Sequence, residues 1–158
     1  MSRVRICIPE RVIAAMCREA DRRFPKESGG VLLGYVDPDN AKQVEVLKQI
    51  GPGPDARHET HRFEPDGEWQ ARRIAAAYEN SGRLVTYLGD WHSHPRGGQM
   101  PSALDRSTAR KIAESSEARA PHPLIVIAHG GPTAWDLTAY RRGRRKLRRA
   151  VLIERGSP

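Results

Sequence analysis

The sequence predicts a single α/β domain built on a mixed β-sheet with helices on its faces. Its 158 residues are enough for one ordinary domain with its own hydrophobic core. Apolar runs with strand character alternate along the chain with amphipathic segments of helical period. Short turns join some neighbouring strands, so the order is strand, helix, hairpin, helix, strand, helix, hairpin. This order is typical of a mixed sheet covered by helices.

The first third of the chain predicts a strand, a helix and a hairpin. Val4 to Ile8 is the strand, and a helix follows from Glu10 to about Arg22, where a Phe-Pro pair ends it. The hairpin has two strands, Gly29 to Val36 and Gln43 to Ile50, and an Asp-Pro-Asp-Asn turn joins them. The predicted inner face of the helix carries Val12, Ile13, Met16 and Cys17.

The segments on either side of the central motif predict a loop, a helix and a second hairpin. Gly51 to Glu64 lacks periodicity and is rich in proline and glycine, which predicts an exposed loop near the functional residues. Pro65 to Asn80 predicts a helix that buries Trp69, Ile74 and Tyr78. The second hairpin is predicted from two strands, Pro123 to His129 and Thr133 to Arg141. A last strand or helical turn is predicted at Val151 to Ile153.

The residues with the strongest chemical potential lie close together in the middle of the chain. Leu84 to Gly89 predicts a strand, and His92 and His94 at its end project from one face because they are two residues apart. Ser102 to Glu114 predicts a helix with Asp105 in its first turn, where the helix dipole favours an ionised carboxylate. Two imidazoles and a carboxylate leave a fourth tetrahedral position for water, which is typical of catalytic zinc.

Each part of this pattern also has a simple structural explanation. Ser102-x-x-Asp105 is a capping box, and a pair of histidines near a loop is usually only solvated. Metal binding requires both parts together, whereas capping does not, so their combination favours a metal site. His58 and His61 in the preceding loop lack a third ligand at a useful spacing, and we interpret them as solvated or substrate-contacting side chains.

The joint pattern His92-x-His94, seven residues, Ser102-x-x-Asp105 closely resembles the zinc motif of the JAMM (MPN+, JAB) metalloproteases. That family also has an early glutamate in a Glu-x-x-Gly-x-Leu-x-Gly context, and Glu27 to Gly34 matches it. The two matches occur in the expected order, about sixty residues apart.

The resemblance implies a JAB/MPN fold, which is cytidine-deaminase-like: a curved sheet with a long helix on either side. It divides the chain into a JAB/MPN+ metalloprotease domain at residues 1–141 and a basic C-terminal extension at residues 142–158. It implies one catalytic Zn²⁺, and we expect the metal ligands to be His92, His94 and Asp105.

Two further residues have catalytic roles by the same resemblance. Glu27 is expected to act as the general base that takes a proton from the attacking water and gives it to the departing amine. Ser102 is expected to stabilise the oxyanion, because no free His-Asp pair is evident that could activate it as a nucleophile.

The expected substrate is an amide or isopeptide bond after the C-terminal tail of a ubiquitin-like protein, in a conjugate or a precursor. Within the family, the sequence looks most like the small bacterial JAB peptidases. The similarity lies in the Gly51–Ala56 loop, the Phe63-x-Pro65-Asp66 motif and the Gly89–His92 segment. These are encoded beside ubiquitin-activating and ubiquitin-conjugating-like enzymes, including those of CBASS anti-phage operons. The expected partner is therefore a ubiquitin-like protein of such a system, with Gly51–Glu64 in contact with its tail.

The net charge of +8 is concentrated near the C-terminus. Arg141 to Arg155 contains seven Arg and one Lys against one Glu, a net +7, which leaves about +1 for the remainder. This tract is either a solvated face or a contact for an acidic partner or nucleic acid. Two alternative functions stay open from sequence: a non-catalytic MPN-type scaffold, and a RadC-like protein that associates with nucleic acid.

Other features of the composition predict a cytoplasmic protein. No apolar run is long enough to cross a bilayer, and the N-terminus lacks a secretory pattern. Cys7 and Cys17 are the two cysteines, and we interpret both as small core residues rather than as a disulfide or thiolate metal ligands.

Overall fold

The computed structural model describes residues 2–156. Within this range no helix is both long and apolar enough to cross a bilayer. In chain order the elements are β1 (Arg5–Pro9), α1 (Glu10–Arg23), β2 (Gly29–Val36), β3 (Gln43–Ile50), β4 (Arg57–His58), β5 (Phe63–Glu64), α2 (Gly67–Asn80), β6 (Thr86–Pro95), α3 (Ala103–Glu114), β7 (Leu124–Gly131), β8 (Ala134–Arg142), β9 (Leu147–Arg149) and β10 (Val151–Arg155).

One mixed sheet organises the molecule, with the strand order β10-β1-β3-β2-β6-β7-β8-β9. β1 is parallel to β10 and β3, and β6 is parallel to β7, whereas the other neighbours are antiparallel. β9 and β10 lie at opposite edges although only Ala150 separates them. The Ala150 amide donates to Ala139 O at 2.9 Å and the Val151 amide to Val4 O at 2.8 Å. Strand twist therefore curves the sheet until its edges come close.

Helices cover both faces of this sheet, and the strands are apolar on both faces for that reason. On β7, Leu124 and Val126 belong to the core under α1, whereas Ile125 and Ile127 pack with Ala109 of α3. α2 covers a third cluster formed by Val31, Leu33, Ile50 and Val85. The predicted curved mixed sheet with helices on either side is confirmed, and Val12 and Met16 of α1 are buried as expected.

The motif strand is longer than the sequence predicted. We expected it to end at Gly89, but β6 runs from Thr86 to Pro95 and includes both histidines of the motif. The reason is that β2 and β7 pair with it on both sides through this region, so its backbone groups keep their partners.

The predicted loop between β3 and α2 contains short regular structure. β4 and β5 pair as a two-stranded ribbon through Arg57 with Glu64 and His58 with Phe63. The helix then begins at Gly67 rather than at Pro65, because the side chain of Asp66 caps it by accepting from the Trp69 amide at 3.2 Å.

The basic C-terminal tract differs from the extension that we expected beyond residue 141. β9 pairs with β8, and β10 pairs with β1 in a parallel register that joins Arg5 to Val151 and Pro9 to Arg155. The tract therefore supplies both edge strands of the sheet. Cys7 and Cys17 are free thiols, and Cys7 is fully buried in β1.

Candidate metal centre

The site begins where β2 and β6 lie side by side. Gly29 pairs with His92 and Gly30 with Trp91. A Cβ atom on Gly29 would lie 2.4 Å from the carbonyl oxygen of Trp91, so only glycine permits this approach. The close pairing brings Glu27, two residues before Gly29, to the part of β6 that carries the histidines.

Ser93, between the two histidines, fixes this approach, and the sequence analysis missed it. Its amide donates to Ser28 O at 2.8 Å, and its Oγ accepts from the Ser28 amide at 2.9 Å. The Ser28 hydroxyl donates in turn to Glu19 Oε1 at 2.9 Å. Ser28 and Ser93 are fully buried, so these bonds tie the segment after Glu27 directly to the motif. A small hydroxyl residue inside His-x-His was the available signal.

The capping box is present, and it orients Asp105 toward the histidines. Ser102 Oγ accepts from the Asp105 amide at 3.1 Å, and the Ser102 amide donates to Asp105 Oδ2 at 2.7 Å. The same carboxylate lies 3.2 Å from His92 Nε2 through Oδ1 and 3.4 Å from His94 Nε2 through Oδ2. The two interpretations of Ser102-x-x-Asp105 are therefore compatible, because the cap holds the carboxylate in place.

The three side chains form a compact donor set. The Nε2 atoms of His92 and His94 are 3.1 Å apart, and the ligand atoms of the set all lie within 4.8 Å of one another. Donors bound at zinc distances in a tetrahedron are separated by roughly 3.3 Å, so the observed spacings fit. His94 Nδ1 lies 2.9 Å from Gly98 O. Its N–H donates to that carbonyl, which leaves the Nε2 lone pair for an ion.

The charges within this set stabilise one another. Burial alone would raise the pKa of Asp105, but hydrogen bonds from His92 and His94 outweigh it and hold that pKa well below its ordinary value. The hydrogen bond to Asp105 raises the pKa of His94. Asp105 is therefore ionised throughout the physiological range, as a metal-binding carboxylate must be.

Glu27 faces the same group and is half-buried. Burial raises its pKa, and the nearby His92 and His94 partly offset that effect. Its backbone is held from the other side by the ribbon: the Glu27 amide donates to Glu59 O at 2.8 Å, and His58 Nδ1 donates to Glu27 O at 2.9 Å. His58 therefore packs on the Phe63 ring and supports the backbone of Glu27, rather than lining the cleft.

A cleft of about 760 Å³ contains these groups. The ribbon lines one wall with His61 and Phe63, and the start of α3 lines another with Leu104. Beneath the histidines, Asp90 accepts from the Tyr87 hydroxyl at 2.8 Å. Burial raises the pKa of Asp90 to about 6, although Tyr87 and His92 counteract it. The donor set therefore lies on the wall of an open cleft.

Comparisons with known proteins agree with this arrangement. A family model described as prokaryotic homologs of the JAB domain matches residues 9–141. A probable metalloprotease of Sinorhizobium fredii is 41% identical over 151 residues, which cover 95% of this chain and 90% of the relative. A protein of Enterobacter hormaechei named CD-NTase/cGAS isopeptidase is 30% identical over 135 residues, 85% of this chain and 73% of the relative. The solution structure of a protein from Desulfitobacterium hafniense has the same fold, with a TM-score of 0.71 at 20% identity over 96% of this chain and 94% of that one.

Proposed function

The chain belongs to the prokaryotic homologues of the JAB domain and is a JAMM-type metallopeptidase, and on this premise we propose that it cleaves the bond after the C-terminal tail of a ubiquitin-like protein. The observation that carries the proposal is the meeting of Glu27 with His92, His94 and Asp105 in one open cleft. Members of the two motifs, remote in sequence, thus share one site. A non-catalytic scaffold would have no need of this arrangement.

Zinc is the metal that we propose for the donor set of His92, His94 and Asp105. Two imidazoles and a carboxylate suit zinc or a neighbouring first-row metal, and the spacings fit a tetrahedron with one open position. When bound, zinc supplies Lewis acidity, which makes water a nucleophile at neutral pH and polarises a carbonyl group.

Glu27 would transfer protons during the reaction, and Ser102 would stabilise the negative charge that develops on the substrate. Glu27 takes the proton from the attacking water and returns it to the leaving amine, and its raised pKa moves it toward the pH at which both transfers are efficient. Ser102 Oγ accepts from the Asp105 amide, so its hydroxyl proton is free to donate to the oxygen that becomes negative.

The ribbon offers a binding edge for the substrate tail. In the described part of the chain β5 pairs with β4 alone, and its Phe63 lines the cleft. An extended tail could add to β5 as a further strand, with main-chain hydrogen bonds for affinity. The isopeptidase name of the Enterobacter relative supports a substrate from a CBASS-type conjugation system. We expect the conjugated protein to be a cyclic-nucleotide synthase, and the role to be in anti-phage defence.

The decisive experiment combines metal analysis with cleavage of fusions to candidate ubiquitin-like proteins. We expect one zinc per wild-type chain and cleavage directly after the tail. Glu27→Gln should retain the metal and lose activity by roughly a thousandfold or more. The matched control is Glu59→Gln, which removes an exposed carboxylate of the same ribbon region and should remain active. Full activity of Glu27→Gln, or wild-type protein without metal in an intact fold, would refute the proposal.

A further inference from the structure

A second cleft lies at the other end of β7, where that strand begins and β8 ends. Its volume of about 660 Å³ is within the range of small-molecule sites. Four parts of the chain form it: the residues before β1, the turn before β3, His122 before β7, and the β8–β9 hairpin. Five arginines and two lysines line it, and no acidic residue does so in the part of the chain that the structure describes.

Arg142 is the unusual member of this lining. It is only 9% exposed, and its Nε is buried without a hydrogen-bond partner. Within residues 2–156 its guanidinium joins no ion pair. A buried N–H donor without a partner is costly, and a guanidinium placed in this way normally has an anionic partner. The backbone of Arg142 is held separately, since its amide donates to Pro123 O and its carbonyl accepts from His122 Nδ1.

The neighbouring cations divide into those that build the cleft and those that are free. Arg141 donates to Ala41 O at 2.8 Å and to His122 O at 3.3 Å, so it fastens two walls together. Arg148 and Arg149 are exposed and belong to no ion pair in the described range. Arg142, Arg148 and Arg149 all line the cleft and are free of ion pairs in the described range.

The chemistry of the lining selects the ligand class. Several positive groups around one small volume require more negative charge than one carboxylate carries, and linked phosphates supply it most compactly. Guanidinium groups bind phosphate oxygens through paired N–H donors. No aromatic ring of Phe, Tyr or Trp lines the cleft in the described chain, so bases have no stacking platform. We propose that this cleft binds a ligand with several linked phosphate groups, such as the polyphosphate chain of a nucleotide.

This site is independent of the proposed peptidase function, because it lies outside the catalytic cleft and shares no residue with it. The direct test is calorimetric titration of the whole protein with tripolyphosphate at low salt. We expect one site per chain, with affinity that falls as salt rises. Arg148→Ala/Arg149→Ala should weaken binding at least about tenfold, because two positively charged donors to the phosphate oxygens are lost. Arg18→Ala/Arg72→Ala removes two exposed arginines elsewhere and should bind as wild type does.

Further ligands distinguish the sources of the phosphate. ATP binding as tightly as tripolyphosphate would support a nucleotide, and tighter binding of duplex DNA with a steep salt dependence would support a nucleic-acid backbone. Equal binding of poly-glutamate would overturn phosphate selectivity. Absence of tripolyphosphate binding, or an equal loss in the control variant, would overturn the site.

Arg142→Met combines the binding measurement with a measurement of stability in the absence of ligand. It preserves much of the side-chain volume and removes the buried charge. If Arg142 is retained for a ligand, the variant should lose tripolyphosphate binding and, without ligand, melt at or above the wild-type temperature. A variant that is destabilised without ligand and still binds tripolyphosphate would show that Arg142 only supports the fold.

Discussion

The cleft of the metal centre and the basic cleft differ in how their charges are compensated. In the metal centre the carboxylate of Asp105 lies within 3.4 Å of the Nε2 atoms of both His92 and His94. The basic cleft is lined by seven Arg and Lys side chains and by no acidic residue of the described chain, and the Nε of Arg142 is buried without a partner. A site whose charges are paired within the chain keeps its geometry before a ligand binds. A site with unpaired positive charges is stabilised when an anion binds. The difference teaches that the pairing of charges within a site indicates which kind of ligand the site binds.

The largest expected effect comes from removing the carboxylate of the metal centre. Asp105→Asn leaves two imidazoles without a carboxylate, so we expect loss of bound metal and a fall in kcat/KM of roughly a thousandfold or more. Metal analysis and cleavage of the fusion substrate measure both. Glu114→Gln at the other end of α3 should leave both unchanged. Full metal occupancy in Asp105→Asn would contradict its role as a ligand.

The next effect separates the two roles of Ser102. Ser102→Ala should lower kcat about a hundredfold through the lost oxyanion donor, and lower stability by about 1 kcal/mol through the lost cap. Ser102→Gly restores most of the capping energy, because glycine is tolerated at N-caps, but it has no hydroxyl. Recovery of kcat in the glycine variant would assign the whole effect to capping.

A smaller effect tests how tertiary hydrogen bonds assemble the metal centre. Ser93→Ala leaves the buried Ser28 amide without its side-chain acceptor, which should lower the free energy of unfolding by about 1–3 kcal/mol. Chemical denaturation measures this loss. Ser107→Ala, in α3, is the control and should be near neutral. A near-neutral Ser93→Ala would show that strand pairing alone holds Glu27 in place.

Charge compensation also predicts a pH-dependent effect at Asp90. Because burial raises the pKa of Asp90 to about 6, the unfolded chain ionises this carboxyl more readily than the folded one does. The free energy of unfolding therefore falls as the pH rises from the ordinary carboxyl pKa to about 6. Above about pH 6 this loss is complete. In metal-free protein, Asp90→Asn should gain roughly 1–3 kcal/mol over wild type at pH 8 and much less at pH 4. A gain that does not change with pH would contradict this cause.

The smallest expected effect concerns the independence of the two clefts. Arg148→Ala/Arg149→Ala should cleave a fusion substrate within about twofold of the wild-type rate, since both residues lie outside the catalytic cleft. Steady-state kinetics with and without tripolyphosphate measures it. A large loss without any ligand would mean that the basic surface takes part in substrate binding.

Much of this protein follows from its sequence. The helices, the main strands and the order of elements were predicted from periodicity, because each reflects contacts among residues a few positions apart. The grouping of His92, His94 and Asp105 was expected from their spacing, and the structure brings them together. Glu27 was expected at the site from resemblance alone, since nothing near it in sequence indicates the histidines.

Sequence alone thus predicted which residues carry the chemistry, while the tertiary structure decided how those residues are held. Ser93 meets Ser28 across 65 positions, and His58 supports Glu27 across 31. Such bonds depend on strand register, which no local pattern specifies. The basic tract appeared as a run of charge, and only the curving of the sheet joined it to the N-terminal residues as a cleft. The physical reason is that periodicity records short-range packing, whereas sites between strands depend on how the whole sheet closes.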